Sequence, residues 1–424
     1  MDIYLVGGAV RDKLLNLAVK DRDWVVVGAQ PQELEQLGFR TVGSDFPVFL
    51  HPDTGEEYAL ARTERKNGHG YGGFVFHTDT SVTLEQDLSR RDLTINAIAE
   101  NSNGQLVDPY GGQQDITNRK LRHVSTAFIE DPLRVLRVAR FAARFNHLGF
   151  SVADETLALM KAITDSGELQ YLTPERVWSE TLKALSEASP RTYIEVLREC
   201  GALKVLFPEL EKLFGVPQRA DFHPEVDTGI HLLMSMDQAT QLSNDPRVRF
   251  AVMMHDLGKG ITPEHILPRH MGHEEAGVPL VEAFCQRLRA PNRFRKLAVV
   301  VTRYHLLCHK IETLRPATVL KVLKGLDVFR QPEALQCFLL ACIADARGRT
   351  GFETVDYPSA QWLQNLADKV TGITSEQFIN AGLKGAAIGE ALDKKRLECI
   401  TEYKNEHKLV NKHDNKNNKE GENA

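Results

Sequence analysis

The chain has 424 residues, 42% hydrophobic and 26% charged, a length that predicts several domains and a composition that excludes a disordered or fibrous protein. Its apolar runs are short, Leu297 to Val301 being typical, so neither a membrane span nor a secretory signal is expected. A net charge of -5 excludes a blanket polyanion binder, and the scattered Cys200, Cys285, Cys308, Cys337, Cys342 and Cys399 are expected as buried thiols in a reducing cytoplasm.

Residues 1–125 alternate short strands and helices. The run Ile3 to Val6 reads as a strand stopped by Gly7-Gly8, followed by a helix from Ala9 to Leu17 and a second strand from Trp24 to Val27. Pro31 to Leu37 predicts a helix; Val48 to Leu50 and Glu57 to Ala61 predict strands. Lys66 to Gly73, with four glycines, predicts a mobile loop. From about Ala127 the periodicity becomes helical, with segments at 131–146, 154–164, 174–188 and 190–201 bounded by Pro or Gly. That character persists to about residue 400, with seams expected near Gly215-Val216-Pro217 and between Gly348 and Pro358. Residues 403–424 carry almost no apolar side chains and are expected to be a disordered tail.

The chemistry-bearing residues cluster in motifs. Gly7-Gly8 lies between strand and helix, where backbone N–H groups can approach phosphate. Asp21 and Asp23 are spaced i and i+2 at the entry to a strand, which puts both carboxylates on one face, suited to divalent ions about 3.5–4 Å apart. Glu57 is a weaker candidate for a third carboxylate. On a helix starting near Pro132, Arg134, Arg137, Arg140 and Arg144 fall within an arc of roughly 120°. Like charges so arranged repel unless an anion lies beside them, and a triphosphate would satisfy them. Asp131 reads equally as a helix N-cap.

In Gly7-Gly8-Ala9-Val10-Arg11-Asp12 with Asp21 and Asp23, in Arg90 to Ala97 (RRDLTINA), and in Glu130 to Arg137 (EDPLRVLR), the chain resembles the polymerase-β-type nucleotidyltransferases. Within them it is similar to the bacterial class II CCA-adding enzymes of the subgroup with an HD domain, up to about residue 400. The resemblance implies Asp21 and Asp23 as catalytic Mg²⁺ ligands, and Gly8, Arg11, Arg91, Arg137 and Arg140 as ligands of ATP or CTP. It also implies that Asp131 and Arg134 stand in for a template base: one acceptor and one donor match the edge shared by C and A, and oppose that of U and G.

Further along, His255-Asp256-Leu257-Gly258-Lys259 follows an apolar run. His231 lies upstream, and His273, His305 and Asp345 lie downstream. The spacing excludes a zinc finger or HExxH site. It resembles HD-superfamily phosphohydrolases, which implies His231, His255 and Asp256 as metal ligands, with Asp345 or His305 as the fourth. Imidazole-rich ligands suit a transition metal, with Ni²⁺ a candidate. Arg287, Arg289, Arg293, Arg295, Lys296 and Arg303 form a local basic cluster that could meet RNA phosphates or simply face solvent.

The expected fold is α+β: a mixed-sheet nucleotidyltransferase head over 1–125 followed by all-α parts. These are a nucleotide-reading, RNA-binding neck over 126–220, a helical HD domain over 228–329, a helical region over 330–402 and the tail. The expected function is addition and repair of the 3′-terminal CCA of tRNA from CTP and ATP. A second, HD-site activity on 2′,3′-cyclic phosphodiesters, 2′-nucleotides or phosphomonoesters is expected in a cytoplasmic monomer or homodimer. The alternatives are a bacterial poly(A) polymerase, an A-adding-only relative, or an HD phosphohydrolase with an inactive head.

Overall fold

Short β-branched and aromatic runs separated by Gly and Pro fill the first hundred residues, a pattern suited to brief strands in a half-buried sheet. The computed structural model describes residues 1–42, 48–66, 74–77 and 79–420. In chain order the strands are β1 (Asp2–Val6), β2 (Asp23–Val27), β3 (Arg40–Val42), β4 (Val48–Leu50), β5 (Glu57–Leu60), β6 (Thr63–Lys66), β7 (Phe74–His77), β8 (Ala99–Asn101) and β9 (Leu106–Val107), with β10 (Lys120–Leu121) and β11 (Ser151–Val152) as a short parallel pair. Seven of them form a mixed sheet in the order β3-β4-β5-β2-β1-β8-β9, in which β2 and β5 are the parallel pair. β6 and β7 pair with each other, antiparallel, outside it. The glycine-rich loop expected from Lys66 ends up divided: Lys66 closes β6, and 67–73 lie outside the described residues.

Period-2 alternation gives the sheet two apolar faces. Val26 packs with Leu34, Phe49 and Tyr58 on one side, while Val25 packs with Val6, Leu88 and Ala97 on the other. Beyond the sheet, helix Leu133–Phe145 packs against Pro174–Leu185 and Pro190–Glu199. It is buried along nearly its whole length, Arg134 and Arg140 included. Residues 1–125 and 126–220 are expected as separate domains, whereas Met1–Glu211 clusters as one compact unit. Side chains tie the two stretches: Arg144 donates to Asp12 Oδ2 at 2.8 Å, and the Arg11 guanidinium lies 5.1 Å from the centroid of the Phe145 ring.

The second unit, Lys212–Ala424, is helical. Asp227 caps helix Thr228–Leu242, accepting from the Gly229 and Ile230 N–H groups, and Asp245 caps Pro246–Met254, whose first residue is the proline favoured there. Helices His273–Arg287, Asn292–His309 and Glu333–Arg347 pack around these two. The boundary expected at 329/330 therefore does not separate domains, because Glu333–Arg347 is part of the same bundle. Nor is the end of the chain the tail expected from 403: helix Ala386–Glu420 runs through it. Tyr403 is buried against the edge of Trp362, with ring centroids 5.3 Å apart, and Lys404 is buried beside it. A stretch free of Gly and Pro prolongs a helix once its first turns are docked, which composition alone did not reveal. Residues 421–424 lie outside the described residues. No helix among the described residues is long and apolar enough to cross a membrane.

Two candidate sites, one of arginines and one of histidines

The first unit encloses a cavity of about 620 Å³ lined by nine arginines and four carboxylates, a balance that calls for an anion. Its floor begins where β1 turns into helix Gly8–Leu14. Gly7 takes a positive φ of 68°, so this turn needs glycine, and a Cβ there would also press on Arg91 Nη1 at 2.9 Å. Asp23 opens β2 and is in register with Val6 on one side and Glu57 on the other. Asp23 and Glu57 both border the cavity. Asp21 comes two residues before the strand starts. With Asp23 and Glu57 it lines an adjoining concavity. Burial and the like charge of Asp21 push the Asp23 carboxyl above its ordinary range, against the pull of Arg91.

The expected nucleotide ligands all border this cavity, Gly8, Arg11, Arg91, Asp131, Arg134, Arg137 and Arg140 among them. Their charges are already engaged with protein partners. Arg11 is held by Asp12 at 2.8 Å and by the Asn96 amide oxygen, and Arg91 reaches Asp87 at 3.3 Å. Arg137 donates to Asp92 Oδ2 through Nε at 2.8 Å, and Arg140 donates to Glu180 at 2.7 Å. Burial acts to raise the Asp92 carboxyl, but the Arg137 guanidinium and the Asn96 amide overcome it and hold the group well below the carboxylate range. Arg134 donates to the carbonyls of Ala127 and Arg90. Asp131 accepts from the Leu133 N–H at 3.1 Å and pairs with Arg176 at 3.0 Å, while the N-cap position weighed for it falls to Pro132. Arg176, Asp87 and Glu180 went unpredicted. No local motif marks them, since each acts across the fold on a motif residue.

The second unit holds a different chemistry. His231, His255, His273 and His305 are buried, and each places Nδ1 beside a backbone carbonyl: Gly348 at 2.9 Å, Val252 at 2.7 Å, His270 at 2.7 Å and Val301 at 3.1 Å. Those contacts anchor each ring through Nδ1 and turn its Nε2 inward. Those Nε2 atoms converge on two carboxylates. His231 lies 3.0 Å and His255 3.6 Å from Asp345 Oδ1; His273 lies 3.2 Å and His305 3.7 Å from Asp256 Oδ1. His255 Nε2 and both Asp256 oxygens are buried without a well-formed hydrogen bond, although Lys259 Nζ stands 2.6 Å from Asp256 Oδ2. Gly258 permits this convergence, since a Cβ on it would strike the His273 carbonyl at 2.0 Å.

The expected ligands His231, His255 and Asp256 are thus together, and the two residues left open for the fourth position both join them. Asp345 forms a three-ligand group with His231 and His255; His305 forms one with Asp256 and His273. His273 was noted in the sequence but not chosen. Outside these, Glu225 Oε1 lies 3.1 Å from His231 Nδ1 and 3.0 Å from His223 Nδ1. Among the described residues, every group of three convergent metal-ligating side chains lies in this unit.

Comparison with known proteins agrees with both halves. Residues 3–122 match the poly A polymerase head domain, 149–214 a probable RNA- and SrmB-binding site of polymerase A, and 228–346 the HD domain, which takes in Asp345. Among solved structures, a CCA-adding enzyme in complex with CTP is 24% identical with a TM-score of 0.63, covering 94% of this chain and 87% of that one. The Thermotoga maritima CCA-adding enzyme complexed with tRNA is 22% identical with a TM-score of 0.60, covering 95% and 90%; both are likenesses of fold. The multifunctional CCA protein of Thioalkalivibrio sulfidiphilus is 59% identical over 406 residues, 96% of this chain and 99% of that protein. At that identity over nearly the full length, the chain belongs to the multifunctional CCA proteins, the CCA-adding enzymes that carry an HD domain.

Proposed function

We propose that the arginine-lined cavity binds CTP or ATP and joins its α-phosphorus to the 3′-hydroxyl of a tRNA, releasing pyrophosphate. The observation that carries this is the meeting of Asp23 and Glu57 with nine arginines around one cavity. Asp21 and Asp23, with Glu57 in register beside Asp23, would hold Mg²⁺. The bound ions supply charge neutralisation at the reacting phosphate and orientation of the attacking oxygen. Gly8, Arg11, Arg91, Arg137 and Arg140 take up the phosphates. Arg137 and Arg140 arrive preorganised, because Asp92 and Glu180 already hold their guanidinium groups. Asp131 accepts from the amino group of C or A and Arg134 donates to the neighbouring ring nitrogen, which leaves U and G mismatched at both positions. The test is incorporation from each NTP singly into tRNAs ending before CCA, after its first C, and after its second. C, C and A in that order support the reading; A alone on every substrate defeats it.

The histidine cluster supports a second activity, hydrolysis of phosphoesters such as 2′,3′-cyclic nucleotides, 2′-nucleotides or phosphomonoesters. Its chemistry suits a transition metal such as Ni²⁺, and the two three-ligand groups offer two adjacent positions with Asp256 near both. A divalent ion there would supply activation of water and neutralisation of the ester phosphate. The protein's part is to keep Nε2 of each ring directed inward and to set Lys259 beside Asp256.

A further inference from the structure

The basic residues clustered between 287 and 303 belong to neither of the cavities described above, and the structure sorts them. Arg303 lies 3.5 Å from Glu275, Arg295 donates to Asn292 Oδ1 at 2.9 Å, and Arg287 lies 5.3 Å from the centroid of the Phe284 ring. Arg293 and Lys296 instead border a third cavity, of about 530 Å³, within the second unit. It shares no lining residue with the cavity beside the histidines. Arg247, Lys324 and Arg330 line it too, so five cations meet two carboxylates, Asp327 and Glu333, in a chain whose net charge is -5.

Three of the five cations are already matched. Arg247 pairs with Asp245 at 2.6 Å, Arg330 with Asp327 at 2.7 Å, and Lys324 with Asp393. Arg293 and Lys296 are exposed and, among the described residues, have no carboxylate partner. They stand i and i+3 on helix Asn292–His309, so they share a face, and the first turn of that helix holds no acidic residue. Like charges so placed repel one another and oppose the helix dipole unless an anion adjoins them. Behind them the wall is apolar, with Leu297, Val300, Leu326 and Ala334, and Cys337 is half-buried there. No aromatic side chain among the described residues lines the cavity, so it offers charge rather than a stacking platform for a base.

We propose that this cavity is an RNA-contact site of the second unit, at which Arg293 and Lys296 neutralise phosphates of the tRNA backbone without reading its sequence. A tRNA carries phosphates along its whole length, and folded RNA is held largely through them. The segment matched as RNA-binding, 149–214, contains none of these residues. The inference goes beyond both catalytic readings and depends on neither, since binding of tRNA can be measured without turnover.

The test is tRNA binding to the full chain, followed by fluorescence anisotropy in the absence of nucleotide. Arg293→Gln with Lys296→Gln should weaken Kd about tenfold at about 0.1 M salt and lower the slope of log K against log salt by about 1.5. KM for CTP at saturating tRNA, and phosphoester hydrolysis, should be unchanged. Arg293→Lys with Lys296→Arg should bind as the wild type does. Arg303→Gln, whose charge is paired with Glu275, should leave the slope unaltered. An unchanged Kd and slope in the double Gln variant overturns the proposal, and so does an equal loss in Arg303→Gln, the mark of overall charge. If the double variant keeps its tRNA affinity but loses binding of poly-glutamate, the face docks an acidic protein and the RNA site falls. Cys337 supplies a readout on the unaltered protein: with tRNA at ten times its Kd, alkylation of this thiol by N-ethylmaleimide should slow about tenfold. An unaltered rate overturns the site.

Discussion

The two cavities solve opposite problems of charge. Around the first, the arginines that would meet a triphosphate are matched in advance by protein carboxylates: Asp92 with Arg137, Glu180 with Arg140, Asp131 with Arg176 and Asp12 with Arg144. In the second, His255 Nε2 and both oxygens of Asp256 are buried with no well-formed hydrogen bond. The difference follows from the ligands. A guanidinium has five donors, so it can keep a carboxylate partner on one edge and still meet a phosphate with another. A metal needs the very lone pairs that a hydrogen bond would consume, which suits the unmatched His255 and Asp256, while the rings are fixed from outside through Nδ1 and Asp345 is shared between His231 and His309. The first site is held rigid by ion pairs, the second by helix packing and carbonyls.

The comparison breaks first if the sites are not independent. Asp21→Ala or Asp23→Ala should lower incorporation of both C and A by about a thousandfold or more, the several kcal/mol contributed by a metal-held charge, and leave phosphoester hydrolysis unchanged. His255→Ala with Asp256→Ala should do the reverse. A folded variant that loses both activities would show the two sites to be coupled.

Next in size is the ion-pair frame of the first cavity. Asp92→Asn removes a buried partner of Arg137 and should cost the first unit about 3 kcal/mol, the low end for broken buried pairs because Arg137 is partly exposed. Calorimetry that follows the first unit's transition measures it. The folded Asp92 carboxyl is held below its unfolded range, so its contribution is complete above that range and is lost as pH falls through the folded value. The gap between wild type and Asp92→Asn should therefore narrow on acidification below about pH 4. A constant gap would place the loss in packing.

The second unit should show the complementary response. A transition metal at a hundredfold its Kd should stabilise it by about 2.7 kcal/mol, and a chelator should remove the gain. The His255→Ala with Asp256→Ala variant should show neither effect, and Mg²⁺ should give less than Ni²⁺ or Co²⁺. Equal responses in variant and wild type would mean the metal binds elsewhere.

The smallest effect sharpens the reading of Asp131. Asp131→Asn should relax discrimination against UTP and GTP by about tenfold, near 1.4 kcal/mol, more than it weakens triphosphate binding. Unchanged preference with lowered stability would leave Asp131 only its bonds to Leu133 and Arg176.

Much of this was legible in the chain itself because it is local. Strands at Val48–Leu50 and around Trp24, helices beginning at Pro174 and Pro190, the glycine turn, and the motif residues bordering the first cavity all follow from neighbours in sequence. Periodicity and turn chemistry act over a few residues, so they can be read there. What tertiary structure decided is how distant residues meet. Asp21 stands before β2 rather than in it, Glu57 reaches Asp23 through a parallel pairing, and Arg176 finds Asp131 from a helix that begins more than forty residues later. His231 meets Asp345 across 114 positions, and His273 meets His305 only because Gly258 lets two backbones touch. Ile400, Tyr403 and Lys404 are buried where the chain's composition alone predicts a tail. Each of these depends on which faces pack together, and burial of apolar surface, being non-directional, leaves no mark of its partner in the local sequence.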